Sequence, residues 1–408
     1  MMKSLDKASG VDQHLDPGVA GQRKNVLVLG SYLTPEHAGA THSTVTIVKA
    51  LAESNWANVT VGAYGWDQSF LPAGVPVIQL REQRSPGPLW RIFPLPEYWH
   101  AFRALREHDL GAFDLCYTHS ISLALAYRRQ HPDVTIATHP GAVLWDREIL
   151  EEGEAPVRWR RLQARLARPI EAKHYRMRKS VHFVSTRLVG DVRSESFRVP
   201  PDTFKVAPLP VDSTHFDPAR VQRDVRQELG ISPDCFVIAT VARLVPWKRV
   251  DAVLRALKAM DESAVLLVVG EGPEREPLEA LAGELQVTDR IRFVGRQDPR
   301  DYLAAANVFA LPSLIESFGL VYVEAMLMGL PCIGLRYRPP AVLSAAMEVI
   351  PDGEAGFCVD NDDELHARLA YFAANPDACR AMGERARHRA LELYSTHQYV
   401  ECLRLTAD

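Results

Sequence analysis

Two acids and two cations carry the chemistry that can be read from this chain. The acids lie in Glu316-Ser-Phe-Gly-Leu-Val-Tyr-Val-Glu324, and the cations in Ala242-Arg-Leu-Val-Pro-Trp-Lys248. The eight-residue spacing of the acids means nothing alone, because 51 Asp and Glu among 408 residues make such pairs by chance. Their surroundings give it meaning. Leu311-Pro-Ser313 ends a strand, Phe318-Gly319 makes a turn, and a helix with Ala325 and Gly329 follows. A helix starting near Gly319 presents unpaired backbone N–H groups, which suit a phosphate. Glu316, on the loop before it, is placed to accept a sugar hydroxyl, and Glu324, just over one turn inside, to hold a ribose diol. Arg243 and Lys248 flank a Pro-Trp turn at a strand's carboxyl end. One charge pair at 4 Å and an effective dielectric of ~20 is worth roughly 4 kcal/mol. Two fixed cations can therefore stand in for a magnesium ion on a departing diphosphate. Asn361-Asp-Asp-Glu364 is a weak metal candidate and reads instead as a helix cap. These residues predict a metal-free site for a diphosphate bearing a sugar, in an enzyme that moves the sugar.

The elements that must position these groups form a repeating pattern. Asn25–Gly30 is a short apolar run ending in Gly, as in a buried parallel strand. Val59–Ala63, Val75–Leu80, Leu115–Thr118, Val134–Thr138 and Val181–Val184 are further strands, separated by helical patterns. The alternation restarts with strands at Val237–Val241, Ala264–Gly270, Ile291–Val294, Val308–Leu311, Cys332–Leu335 and Gly356–Val359. Helices are expected at Val250–Met260, Glu274–Glu284, Asp301–Ala306 and Leu320–Met328. Such alternation predicts α/β domains with doubly wound parallel sheets. The Pro-rich stretch Ala207-Pro-Leu-Pro-Val-Asp212 reads as a stiff hinge. The expected division is a disordered leader (1–24), an N-terminal acceptor-binding domain (25–207) and a C-terminal nucleotide-sugar-binding domain (208–385). A C-terminal helix over 386–408 could pack back on the first domain. Ligands of such sheets bind beyond the strands' carboxyl ends, so two facing domains make a cleft that holds every motif named here.

Composition narrows the function classes. A net charge of −4 argues against a general nucleic-acid binder. The six cysteines show no CxxC spacing, so neither a zinc site nor a redox motif is indicated, and they fit a reducing, cytoplasmic setting. No apolar run approaches the ~20 residues of a membrane helix, and the first 24 residues lack an apolar signal core. Residues 158–179 hold nine Lys and Arg interspersed with Trp159, Leu162, Leu166 and Ile170. That segment is either an ordinary surface helix or a peripheral contact with an anionic membrane. The aromatic run from Pro88 to Trp99 could line the acceptor side.

With these motifs in place, the chain over roughly 25–400 resembles family 4 of the retaining glycosyltransferases, which have the two-domain GT-B architecture. The resemblance rests on Arg-Leu-x-x-x-Lys at 243–248, Val-Val-Gly-Glu-Gly-Pro-Glu at 268–274, Val-Gly-Arg at 294–296, Leu-Pro-Ser at 311–313 and the Glu316…Glu324 run. It implies that Arg243 and Lys248 hold the donor diphosphate, that Glu316 meets the transferred sugar, and that Glu324 meets the ribose. It also implies phosphate contacts from the turn after Phe318, at Gly319, Leu320 and Val321, and nucleotide contacts near Gly270 and Arg296. His139, ending a strand in Thr138-His-Pro140, matches the family's active-site histidine, with His119 as a rival. The loop Pro35–Thr41 resembles the family's glycine-rich first loop, with Gly39 as its donor contact. Leu209-Pro210 replaces the usual Asn-Gly of the hinge, and Arg338-Pro339-Pro340 replaces an expected Gly-Gly turn.

The implied reaction moves a sugar from a UDP- or GDP-linked donor to the hydroxyl of a glycan, lipid-linked or small-molecule acceptor. It proceeds with retention, by front-face attack and without metal or other cofactor. Two other readings compete. A glycoside hydrolase would need Glu316 and Glu324 to flank one glycosidic bond. A non-catalytic two-domain sugar binder is usually secreted, and no signal peptide is visible.

Overall fold

The computed structural model describes residues 23–34, 40–81, 94–111, 113–140, 168–339 and 341–407. Gly39, most of the leader, residues 88–93 of the aromatic run and residues 158–167 of the basic segment lie outside the described residues.

Two parallel sheets organise the chain. The first contains β1 (Lys24–Leu33), β2 (Ala57–Trp66), β3 (Val77–Gln79), β4 (Leu115–Thr118), β5 (Thr135–Thr138), β6 (Ser180–Val184) and β7 (Phe204–Val206), in the order β3-β2-β1-β4-β5-β6-β7. The second contains β8 (Val237–Val241), β9 (Val265–Val269), β10 (Ile291–Gly295), β11 (Val308–Ala310), β13 (Cys332–Leu335) and β15 (Gly356–Val359), in the order β10-β9-β8-β11-β13-β15. A two-residue pair, β12 (Ile315–Glu316) with β14 (Leu343–Ser344), stands apart. Val26–Leu29 and Val265–Val269 are buried along their whole length. That is why they read as continuous apolar runs, since a parallel strand with helices on both faces meets water on neither.

Six helices matter for the site: α1 (Ala40–Glu53), α2 (Arg187–Phe197), α3 (Leu320–Leu327), α4 (Ala346–Val349), α5 (Pro376–Leu393) and α6 (Thr396–Ala407). In the first sheet, connections diverge between β1 and β4; in the second they diverge between β8 and β11. Crevices for ligands open at the carboxyl ends of strands at such points. Arg243 and Lys248 follow β8, and the Ser313–Gly319 segment follows β11, so the topology alone brings the two motifs together.

Several expectations shift in detail. The strand expected over 75–80 shrinks to β3. The edge strand β7 and the β12–β14 pair were not anticipated, because two or three residues are too few to show a period. The helix expected over 386–408 is two helices: α5 packs against α3, and the chain breaks at Tyr394 before α6. Tyr399, Val400 and Leu403 of α6 belong to the same buried cluster as Val26, Val28, Val61, Leu115 and Phe183 of the first domain. Asn361 caps the next helix, accepting the Glu364 N–H at 2.9 Å, as its sequence context predicted.

Candidate active site

The turn after β8 is held from both sides. The Leu244 N–H donates to the Glu271 carbonyl at 2.9 Å, and the Glu274 N–H donates back to the Leu244 carbonyl at 3.1 Å. This approach leaves no room for a Cβ at two positions of the β9 loop: one on Gly270 would sit 1.8 Å from the Ala242 oxygen, and one on Gly272 would sit 2.2 Å from that of Leu244. On the other side, the Leu314 N–H donates to the Trp247 carbonyl at 2.8 Å, and Ser313 Oγ donates to the Ile315 carbonyl at 2.8 Å. Arg249 then adopts a left-handed conformation (φ 54°), with its guanidinium on both oxygens of Asp362 at 2.8 and 2.9 Å. These contacts aim Lys248 at the segment after β11.

Lys248 Nζ lies 2.5 Å from a carboxylate oxygen of Glu316, with the two side chains 19% and 13% exposed. A pair this far from water is screened little, so each ion fixes the other's direction. Arg243 is exposed on the same turn, and none of the described residues forms an ion pair or side-chain hydrogen bond with it. Three residues past Glu316, Gly319 (φ 79°) starts α3 with no side-chain cap. A Cβ at Gly319 would meet the Tyr322 ring at 2.4 Å and Glu316 Cγ at 3.1 Å, so glycine is what lets the helix start beside the Lys248–Glu316 pair. Phe318 is buried edge-on against Tyr394, and Tyr322 Oη donates to the Leu311 carbonyl at 2.6 Å. Leu320 and Val321 stay partly exposed at the helix's first turn. The geometry therefore gathers Lys248, Glu316 and the unpaired amides of α3 at one point, with Arg243 five residues before Lys248 on the turn after β8.

Glu324 stands in a different environment. Burial raises its carboxyl to about 7, Asp298 adds to the rise, and His215 opposes it. His215 and Asp298 form a pair at 2.9 Å across the hinge. Facing them from the first domain is α1. Burial, followed by the charge of Arg296, lowers the pKa of His42; burial pushes the Asp212 carboxyl up, but hydrogen bonds from Thr214 and His215 hold it down, with a smaller contribution from Lys49. Glu316 is thus paired with Lys248, whereas the charges acting on Glu324 are those of Asp298 and His215. A depression of about 580 Å³ beside the hinge is lined by Asp212, His215, Arg220 and Arg300 among others, but by neither Lys248 nor Glu316. Among the described residues no cluster of His, Cys, Asp or Glu could hold a metal ion, and no helix is long and apolar enough to cross a membrane.

His139 occupies a setting the sequence did not foretell. It is 2% exposed, with Nδ1 2.7 Å from Tyr399 Oη and Nε2 2.9 Å from Ser185 Oγ. The direction of the network follows from one contact. His119 Nδ1 lies 2.6 Å from the His139 carbonyl, which can only accept, so that nitrogen carries the hydrogen. Burial drops His119 to about 4, so the ring is neutral and its Nε2 accepts from Tyr117 Oη at 3.1 Å. Tyr117 then accepts from Tyr399 at 2.9 Å, Tyr399 accepts from His139 Nδ1, and His139 Nε2 accepts from Ser185. Both nitrogens of His139 are consumed. The structure thus places its ring in an internal relay that ties β4, β5 and β6 to α6, and does not present it to the cleft.

These neutral histidines make stability depend on pH. Burial holds His182 at about 4 and His139 and His174 well below their ordinary value, and Arg193 pushes all three the same way. In the unfolded chain histidine titrates near 6.5. As pH falls below ~6.5 the unfolded state takes up protons that the native state refuses, so stability is lost as pH drops, for His182 down to about 4. His182, held at about 4, costs roughly 1 kcal/mol by pH 5.5 and about 3 kcal/mol by pH 4. The melting midpoint should fall between pH 7.5 and 5.5, and His182→Phe should flatten that fall. Equal slopes in the two proteins would refute the assignment.

Residues 221–389 match the family model described as Glycosyl transferases group 1. The chain is 32% identical over 186 residues to N-acetyl-alpha-D-glucosaminyl L-malate synthase of Bacillus anthracis, covering 44% of this chain and 47% of that protein. It is 33% identical over 204 residues to a GDP-mannose-dependent alpha-(1-6)-phosphatidylinositol monomannoside mannosyltransferase of Mycolicibacterium smegmatis, covering 45% and 51%. The chain thus spans about half the length of these curated relatives. A sucrose-phosphate synthase from Thermosynechococcus elongatus superposes over 94% of this chain and 98% of its own, with a TM-score of 0.75 at 18% identity. The chain has the GT-B fold of two Rossmann-like domains, and residues 221–389 in its C-terminal half are similar to group 1 glycosyl transferases.

Proposed function

We propose that the protein is a retaining glycosyltransferase that moves a sugar from a UDP- or GDP-linked donor to an acceptor hydroxyl without a metal ion. The observation that carries this reading is the Lys248–Glu316 pair at the uncapped start of α3. A diphosphate entering there meets the Arg243 guanidinium, the Lys248 ammonium and the amides after Gly319. Donors fixed where negative charge grows as the bond to the sugar breaks are the arrangement that lowers a barrier most. The bond from the anomeric carbon to the diphosphate oxygen breaks, and the acceptor oxygen bonds that carbon from the same face. The acceptor's proton passes to the departing phosphate oxygen. Glu316, oriented by Lys248, accepts a hydroxyl of the transferred sugar, and Glu324 accepts the ribose diol. Phe318 packs beneath the turn, and Gly270 and Arg296 border the nucleotide.

The relatives' names include a glucosaminyl transfer to malate and a GDP-mannose-dependent transfer to a phosphatidylinositol mannoside. They support a sugar-transfer reading and leave the base, sugar and acceptor open between a small acid and a lipid-linked glycan. The test is donor consumption with UDP- and GDP-sugars in chelator, with and without an acceptor panel. Donor breakdown should be slow alone, should speed up with the right acceptor, and should give a product of unchanged anomeric configuration. Full-rate breakdown without acceptor, cleavage of simple glycosides, or loss of activity in chelator would reject the reading.

A further inference from the structure

The first residues of α2 are met by the opposite domain. Thr186, its cap, is 2% exposed; its hydroxyl accepts the Val189 N–H at 3.4 Å and donates to the Ser317 carbonyl at 3.1 Å. The next two amides, Arg187 N–H and Leu188 N–H, donate to the two oxygens of the Glu348 carboxylate at 2.7 Å each. A helix start has no partners of its own for these amides and favours a negative charge there. Here both needs are met across the cleft by charge-assisted bonds.

Both acceptors are joined to the donor site. Ser317 lies between Glu316 and Phe318. Glu348 rides on α4, directly after β14, which pairs with β12 and hence with Glu316. The Ala345 N–H also donates to the Glu316 carbonyl at 2.7 Å. A displacement of α2 would thus pull on both arms of the segment that carries Glu316 and Gly319.

We propose that Glu348 and Thr186 form an interdomain clasp, and that these positioning residues seat the Glu316–Gly319 turn for the donor. Glu348 is exposed, so salt weakens the clasp, and closure is held without being locked. The donor role rests on the sugar-transfer reading above; the clasp itself does not.

The test is Glu348→Gln, with Glu348→Asp as the conservative partner and Thr186→Val as an independent break. Gln keeps one acceptor oxygen but turns its NH2 toward the second amide, so at least one bond is lost. Among the described residues only Glu348 accepts from the amides of Arg187 and Leu188, so their hydrogen exchange reports the clasp directly. Their exchange in Glu348→Gln should quicken by roughly 10-fold, one lost hydrogen bond, while the last turn of α2 is unchanged. Solution scattering should show a more open particle, and Glu348→Asp should recover part of both signals. The donor KM should rise by about 5- to 10-fold with kcat little changed, and Thr186→Val should act in the same direction. Unchanged exchange and scattering in Glu348→Gln would overturn the clasp. Altered exchange with an unchanged donor KM would overturn its positioning role. If the wild-type protein turns over no nucleotide sugar, the sugar-transfer reading fails on that result alone. Exchange and scattering then still judge the clasp, and calorimetric affinity for UDP and GDP replaces KM as the measure of positioning.

Discussion

Arg243→Ala and Lys248→Ala should each reduce turnover at saturating donor by roughly 100-fold or more. Removing one preorganised donor from a developing anion typically costs ~2.7–4 kcal/mol in the barrier. Each ~1.4 kcal/mol is a factor of ten in rate. The two variants should differ in everything else. Arg243 is exposed, with no ion pair among the described residues, so its removal should leave the melting midpoint near that of the wild type. Lys248 is paired with Glu316, and both are largely shielded from water. Losing it leaves a carboxylate without its cation, which costs stability and lets Glu316 swing away from the sugar. Lys248→Ala should therefore also raise the donor KM and lower the melting midpoint. Near-wild-type turnover in both variants would remove the electrostatic basis of the proposed reaction.

Gly270→Ala should be among the most destabilising single substitutions in the C-terminal domain. Gly270 holds φ at 141°, a conformation that L side chains rarely adopt, and its Cβ would fall 1.8 Å from the Ala242 carbonyl oxygen. The obstacle is backbone, so no rotamer change relieves it. Relief must come from parting the β8 and β9 ends, where the Ala242 N–H donates to the Val269 carbonyl at 3.0 Å and the Gly270 N–H to that of Gly295 at 2.8 Å. Strain of this kind and the loss of those bonds place the cost at about 3 kcal/mol or more. At ~2–4 °C per kcal/mol for a domain of this size, the midpoint should drop by roughly 6–12 °C. The same opening displaces Arg243 and Lys248, so affinity for UDP or GDP should fall with stability. A variant that melts and binds like the wild type would show that the close approach is absent in solution.

The difference between what could be read in the sequence and what could not has a physical cause. The sheets were legible because parallel strands buried on both faces are written as unbroken apolar runs, as in Val26–Leu29 and Val265–Val269. The Phe318-Gly319 turn was legible because a left-handed position at a helix start calls for glycine. Topology then did the rest, since β8 and β11 are neighbours from which the chain leaves in opposite directions. Contacts between residues far apart in the chain left no such trace. The Lys248–Glu316 pair joins residues 68 positions apart, and Thr186–Ser317 joins residues 131 apart. A capping threonine looks the same whether its hydroxyl serves its own helix or another domain. His139 shows the converse. Its place at a strand end was legible, but Tyr399, 260 residues later, determines what its ring can do.

The return of α6 into the first domain has a consequence for biosynthesis. The core begun by Val26 is completed only by Tyr399, Val400 and Leu403. At about 5–20 residues per second, the ribosome needs roughly 10–40 s after β7 to deliver these last side chains. Through that interval the nascent amino-terminal half presents an unfilled apolar groove, while the carboxyl-terminal half can close its own interior as soon as its strands emerge. Nascent chains stalled near residue 390 should accordingly engage holdase chaperones through their earlier half, and release on extension through Leu403 should end that engagement.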